Sequence, residues 1–465
     1  MDRKNRTELM INSIQSVDEG LASSLTRMKL LCFAGMFVFL IARNPVWNML
    51  WDADGYMNSA IIWVSGGPHE SVAEQLYYRG FLTSIVYYLP AFLGVNYFEP
   101  TQFGTYIYVF VMVQNAFIIS WMSSYVLPKI VGLFQPVNSL TVFATSLLGF
   151  FVMNSFVPYS LMDLWALACL MPVVFLIHSQ NKIALSVSGL LLGLCLNLRP
   201  SYLFAILLLI GSAFIIKKIS VFLMLPGLIV SQIPQIIYNE RWNDSLSIFP
   251  LGLGKITGRL ATFAAYSIRY DTVAYRPFAQ GGLSFCDKKM MEIALIAKPE
   301  STFETALLFL QNPGHSTIFL IKKLAAAFWW PVTVPYYEHN PLVNSIYGAL
   351  VLLIVVFGLS RLILMFVSSN QKKRFIGVIA VSIGFLINLV LYSNETRYGL
   401  SVVLIAICGI AIYISRINLS SEKIGLNGTF TKSNIATIAV YIVLSGIAVF
   451  TLMGNFGFQT IKNCG

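Results

Sequence analysis

Two aspartates, Asp52 and Asp54, stand just after an apolar stretch that ends near Trp47, with Tyr56 four residues beyond the first of them and Ala60 four beyond that. Later in the chain, Arg79 sits in Tyr77-Tyr78-Arg79-Gly80, Asp163 follows Pro158-Tyr159, and Arg199 closes a Gly-containing apolar run. Glu338 and His339 precede Asn340-Pro341, and Glu395 shares Asn394-Glu395-Thr396-Arg397-Tyr398 with Arg397. All lie at the edge of an apolar block. A carboxylate at such a border is a base for a hydroxyl proton, and a guanidinium is a bidentate seat for a departing phosphate. The set therefore suits transfer of a group from a phosphate to a hydroxyl. Plainer roles stand beside that one. The acids solvate a helix end, Asp163 caps a helix, Arg199 anchors a lipid phosphate, Glu395 pairs structurally with Arg397, and His339 is interfacial structure.

The elements that must position these residues are membrane spans. Of 465 residues, 57% are hydrophobic and 11% charged, and the mean hydropathy is +0.73, far from the roughly one quarter of charged residues in soluble domains. Apolar segments at 28–47, 81–97, 104–127, 140–157, 161–178, 183–198, 201–216, 221–238, 343–364, 376–392, 400–414 and 435–453 are long enough, or nearly so, to cross a bilayer. The segment 316–334 carries Lys322-Lys323 in its middle and reads as an interfacial helix at least as well as a span. Roughly eleven to thirteen spans are expected in an all-α integral membrane protein. Within the first loop, at 52–79, Tyr56, Ala60, Trp63 and Val64 recur at helical spacing before Gly66-Gly67-Pro68, predicting a short interfacial helix, with a second piece at about 70–78.

Charge sets the topology. Arg3, Lys4, Arg6, Arg27 and Lys29 flank the first span, Lys217-Lys218 and Lys372-Lys373-Arg374 lie in short turns, and the positive-inside rule places all of them in the cytoplasm. The net charge of +11 is then that bias summed over loops rather than a nucleic-acid surface. Asp52, Asp54, the polar region after Asn239, Glu338, His339, Glu395 and Arg397 fall on the outer side, and so do Asp163 and Arg199, which requires that only two of the three apolar segments between Phe81 and Val157 cross. The expected organisation is a cytoplasmic segment 1–27, a transmembrane module 28–238, an outer loop with interfacial helices 239–341, and transmembrane helices 342–465. Six cysteines lie scattered, none at metal-ligand spacing, so neither a disulfide framework nor a zinc site is indicated.

Several stretches, in order, resemble the GT-C superfamily of polyprenyl-phosphate-sugar-dependent membrane glycosyltransferases, in particular the branch holding protein mannosyltransferases and the lipid A aminoarabinose transferase. Asp52-Ala53-Asp54-Gly55-Tyr56-Met57-Asn58-Ser59-Ala60 is similar to the first-loop acidic motif, and Tyr77-Tyr78-Arg79-Gly80-Phe81-Leu82 to the turn leading into the next helix. Pro158-Tyr159-Ser160-Leu161-Met162-Asp163 resembles the second acidic site, and Gly193-Leu194-Cys195-Leu196-Asn197-Leu198-Arg199-Pro200 the Gly-rich helix that follows it. Ile233-Pro234 with Asn239, then Asn340-Pro341-Leu342 and Asn394-Glu395-Thr396-Arg397-Tyr398, match later signposts. Many relatives carry adjacent Asp-Glu where Ala53 here separates two aspartates, so either Asp52 or Asp54 is the base.

The resemblance implies a GT-C-type bundle in a bacterial inner membrane with its active site facing the periplasm or cell exterior. It implies transfer of a sugar from a polyprenyl phosphate to an acceptor hydroxyl, with a glycan such as lipopolysaccharide O-antigen, or a lipid, as acceptor. Asp52, Asp54 and Asp163 would be catalytic, and Arg79, Arg199 and Arg397 would bind the donor phosphate. Tyr56, Glu338, His339 and Glu395 would serve the acceptor or support the others. A divalent metal is compatible with this chemistry, though no dedicated ligand set is visible. The alternatives are a flippase or transporter of lipid-linked sugar, which predicts inverted repeats and mid-bilayer charges, and a polysaccharide ligase or polymerase of another membrane fold.

Overall fold

The computed structural model describes residues 3–43, 51–66, 80–98, 103–251, 261–271, 283–329, 341–392, 396–420 and 438–447. Among them seven helical stretches are long and apolar enough to cross a membrane: Ser23–Arg43, Tyr106–Val131, Ser139–Phe156, Pro200–Asn243, Ile346–Ser368, Lys372–Leu391 and Arg397–Ser415. The stretch Pro200–Asn243 holds two helices, Leu203–Lys217 and Leu225–Asn243, parted at Lys218, whose φ of 53° is left-handed. Three shorter apolar helices, Met162–Leu176, Lys182–Leu198 and Ile438–Ile447, complete the set. The chain is an all-α membrane-embedded protein with one addition the sequence did not suggest. The strands Ser267–Asp271 and Leu283–Cys286 pair antiparallel.

The bundle has two chemically different ends. At one, Arg374 donates to the Leu133 carbonyl (3.1 Å), Lys217 Nζ to the His178 carbonyl (3.3 Å), and the Gln135 side chain to the Ile412 carbonyl (3.1 Å). The rings of Phe134 and Phe375 meet there at 4.5 Å. This is the lysine-rich end. Asp52, Asp163, Arg199 and Arg397 gather at the other.

These anchor points show which apolar segment does not run from one end of the bundle to the other. From Asp52 the chain must reach Leu133 and return to Asp163, and the stretches Tyr106–Val131 and Ser139–Phe156 make that journey. The remaining segment, 81–97, breaks at Tyr87 into the helices Leu82–Val86 and Tyr88–Tyr97, the latter packed on Trp51–Val64. Each is far shorter than the roughly 20 residues a span requires. Thr83 and Ser84 turn their hydroxyls onto the carbonyls of Gly80 and Phe81, and the buried Tyr87 hydroxyl lies 3.2 Å from both Asn115 Oδ1 and the Leu161 carbonyl.

Close packing rests on small residues, as helix association in lipid requires. Lys182–Leu198 crosses Leu225–Asn243 where a Cβ on Gly193 would collide with Ser231, and Gly80 lies so near the Asn197 carbonyl that no larger residue fits. The most enclosed span is Arg397–Ser415, with 78% of its apolar window buried against 11% for Ser23–Arg43. Arg397 therefore stands at the head of the central helix.

Candidate functional site

The helix at Trp51–Val64 starts earlier than its apolar spacing suggests, so Asp52 and Asp54 both lie in its first turn, where carboxylates suit the helix dipole. Two positions on, a helix has rotated by about 200°, so the two acids point apart. Asp54 is exposed and accepts from Asn58 Nδ2 at 2.9 Å. Asp52, 37% exposed, turns to the bundle and meets Arg397 Nη2 at 2.5 Å.

Asp163 lies in the first turn of Met162–Leu176 but does not cap it, since Leu161 holds the N-cap position. It is 1% exposed, with Oδ1 at 3.0 Å from Arg199 Nε and Oδ2 at 3.8 Å from Arg397 Nη1. Among the described residues neither oxygen accepts an aligned hydrogen bond, so cations alone offset its burial. The result is a chain of charges, Asp52 to Arg397 to Asp163 to Arg199, drawn from four separate elements. Arg199 also lies over the Tyr398 ring at 4.8 Å. Burial opposes the Arg199 charge, Asp163 reinforces it, and the net effect holds its pKa well above the ordinary arginine value. Tyr56, 5% exposed, is within electrostatic reach of Arg199.

Three polar atoms beside this chain are buried without a hydrogen-bond partner among the described residues: Arg199 Nη2, Tyr202 Oη and Asn388 Oδ1. Tyr202 and Asn388 line one crevice with Ser201, Phe385 and Tyr398. The two orphaned donors, Arg199 Nη2 and Tyr202 Oη, can each donate to an oxygen acceptor. Among the described residues no group of three His, Cys, Asp or Glu converges as metal ligands.

The structure thus brings together Asp52, Asp163, Arg199 and Arg397, sets Tyr56 beside them and leaves Asp54 facing away. Arg79, Glu338, His339 and Glu395 lie outside the described residues. The Arg397 guanidinium bridges Asp52 and Asp163, while its expected pairing with Glu395 lies outside the described residues.

Sequence reasoning missed the residues that hold this chain in place. Asn115, fully buried, donates to the carbonyls of Val157 (3.1 Å) and Tyr159 (2.8 Å) and accepts from Tyr87 and Trp165, fixing the segment that leads to Asp163. Ser160 Oγ donates to the Ala53 carbonyl at 2.5 Å, joining that segment to the helix of Asp52. An amide inside an apolar helix was the available signal. Cys286 is disulfide-bonded, which corrects the expectation drawn from scattered cysteines, while Cys32, Cys169, Cys195 and Cys408 are free thiols.

Lys323 was legible only as an oddity within 316–334. It is fully buried on Pro313–Phe328, and its Nζ donates to the carbonyls of Ala264 (3.1 Å) and Tyr392 (2.7 Å), the latter at the end of Ile376–Leu391. Gly399, beside Arg397 in sequence, rests against the Ala327 carbonyl of the same helix. Burial pulls the Lys323 pKa down to about 7, whereas the unfolded chain titrates near 10.4. Between those values the unfolded state holds a proton that the folded state has lost, so stability should rise with pH by at most about 1.4 kcal/mol per unit. Thermal unfolding in detergent across that window should show a steeper rise for the native chain than for Lys323→Met. Parallel curves would remove Lys323 as the source.

A scan against protein-family models finds no match for the chain, and a search of curated proteins finds none.

Proposed function

We propose that the protein is a membrane glycosyltransferase that moves a sugar from a polyprenyl phosphate to an acceptor hydroxyl on the non-cytoplasmic side of a bacterial inner membrane, with a cell-surface glycan as acceptor. The observation that supports this most is the convergence of Asp52, Asp163, Arg199 and Arg397 at one end of an otherwise apolar bundle. Orientation follows from the positive-inside rule, which assigns the end with Lys217 and Arg374 to the cytoplasm. A disulfide at Cys286, in the region between the spans, fits an oxidising compartment on the opposite side.

In this reaction Asp52 accepts the proton of the acceptor hydroxyl, the freed oxygen bonds to the anomeric carbon, and the bond from that carbon to the phosphate oxygen breaks. The phosphate leaves with the bonding pair. Arg199, through its unpartnered Nη2, and Arg397 receive its charge. Asp163 keeps both guanidinium groups aimed at one place. Cytoplasmic nucleotide sugars do not reach such a site, whereas a lipid-linked sugar arrives in the plane of the cluster.

Purified protein in detergent should consume a synthetic polyprenyl-phosphate sugar, release polyprenyl phosphate and ignore the matching nucleotide sugar. Turnover of the nucleotide sugar without a lipid intermediate would overturn the proposal. Movement of the lipid across vesicles without sugar transfer would replace it with a flippase.

A further inference from the structure

Outside the spans, the helices Lys288–Ala297, Thr302–Gln311 and Pro313–Phe328 form a unit bound to the bundle along one face. Its inner side is well satisfied. Met290, Ala294, Thr305, Leu308, Phe309 and Phe319 are buried, and the Phe309 and Phe319 rings meet at 5.8 Å. Lys323 fixes the unit's height by bonding to the Tyr392 carbonyl at the end of a membrane span, and the Phe328 ring meets Phe385 of that span at 5.6 Å.

The outer side is not what a water-facing surface looks like. Phe303, Leu307 and Leu310 recur at i, i+4 and i+7 on one stripe of Thr302–Gln311 and are 70%, 38% and 76% exposed. Ile318 and Ile321 on the next helix are 56% and 42% exposed. A grouped set of large apolar side chains outside the spans marks a surface that something covers. What covers it follows from position. Thr302–Gln311 packs against Ile376–Leu391, whose own Ile383 and Leu386 are exposed on the bundle surface, as the lipid-facing side of a membrane helix would be. Lys288, Lys289 and Lys298, exposed on the neighbouring helix, suit headgroup phosphates.

We propose that the stripe of Phe303, Leu307 and Leu310, together with Ile318 and Ile321, is seated in the leaflet at the acid–arginine end of the bundle. It would lie about 5–10 Å into the boundary between headgroups and acyl chains, as amphipathic surface helices do. The unit is then a membrane-resting brace for the segment that carries Arg397, independent of which reaction the site performs.

The test is photocrosslinking in vesicles of phosphatidylethanolamine and phosphatidylglycerol. Phe303 and, separately, Leu310 are replaced by p-benzoylphenylalanine, with Glu292, exposed on Lys288–Ala297, as the comparison position. Both substituted positions point outward, so the fold tolerates the larger ring. Acyl-chain adducts at 303 and 310, severalfold above those at 292, are the expected result. A crosslinked dimer at 303 or 310 would make the surface a contact between copies and overturn the proposal. Absence of lipid adducts at both positions would do the same.

Discussion

Asp52→Asn should lower sugar transfer by about 10²-fold or more while the protein still inserts and folds. The substitution removes the one carboxylate of the cluster that is partly open to solvent, where an acceptor hydroxyl can reach it. Stability should change little, because a partly exposed pair contributes about 0–1 kcal/mol and Arg397 keeps Asp163 as a partner. Asp54→Asn is the matched control. Since Asp54 faces away and is satisfied by Asn58, its variant should retain nearly native turnover. The measurement is the initial rate with a lipid-linked donor, normalised to folded protein. A native rate for Asp52→Asn removes it as the base, and loss confined to Asp54→Asn exchanges the two roles.

Asp163→Asn should behave differently, failing in stability before it can be judged in activity. Its carboxylate is buried and sits between two guanidinium groups, so the amide leaves Arg199 without its carboxylate and Arg397 with Asp52 alone, where water does not compensate. Breaking a buried pair in this way costs about 3–5 kcal/mol. The unfolding midpoint in detergent should fall sharply, and Asp163→Asn combined with Arg199→Gln should recover part of the loss, since the second change removes one stranded cation. If the single variant unfolds with the native protein, Asp163 is not what holds the cluster.

Much of this architecture was legible because membrane proteins write their spans in composition. The segments around 140–157, 183–198 and 376–392 emerge as helices within a few residues of where hydropathy places them. Asp52, Asp163, Arg199 and Arg397 were recognisable because ionisable residues at the border of apolar blocks are few and expensive. What was not legible depends on partners distant in sequence. Tyr87, where the helix breaks, bonds to Asn115 and Leu161, and no local pattern near 81–97 reports the break. The choice between Asp52 and Asp54 depends on where one helix begins, and that start decides which acid faces Arg397. Lys323 read as a reason to doubt a span, whereas its role is set by a carbonyl at Tyr392. The strand pair and the disulfide at Cys286 likewise belong to tertiary structure.

The two carboxylates and two guanidinium groups of the cluster cancel, and this has a bearing on the transfer itself. In the proposed transfer, a sugar-linked phosphodiester would bring one negative charge into that neutral set. When the glycosidic bond to phosphate broke, the leaving group would become a dianion, but in the same event Asp52, as the proposed base, would take up a proton and lose its own charge. The occupied site would therefore be isoelectric before and after the chemical step, and the surrounding low-dielectric bundle would meet no change in monopole, only a shift of negative charge from Asp52 towards Arg199 and Arg397. The electrostatic work falls instead on release, when the dianion and the proton must both depart before the pairing of Asp52 with Arg397 is restored.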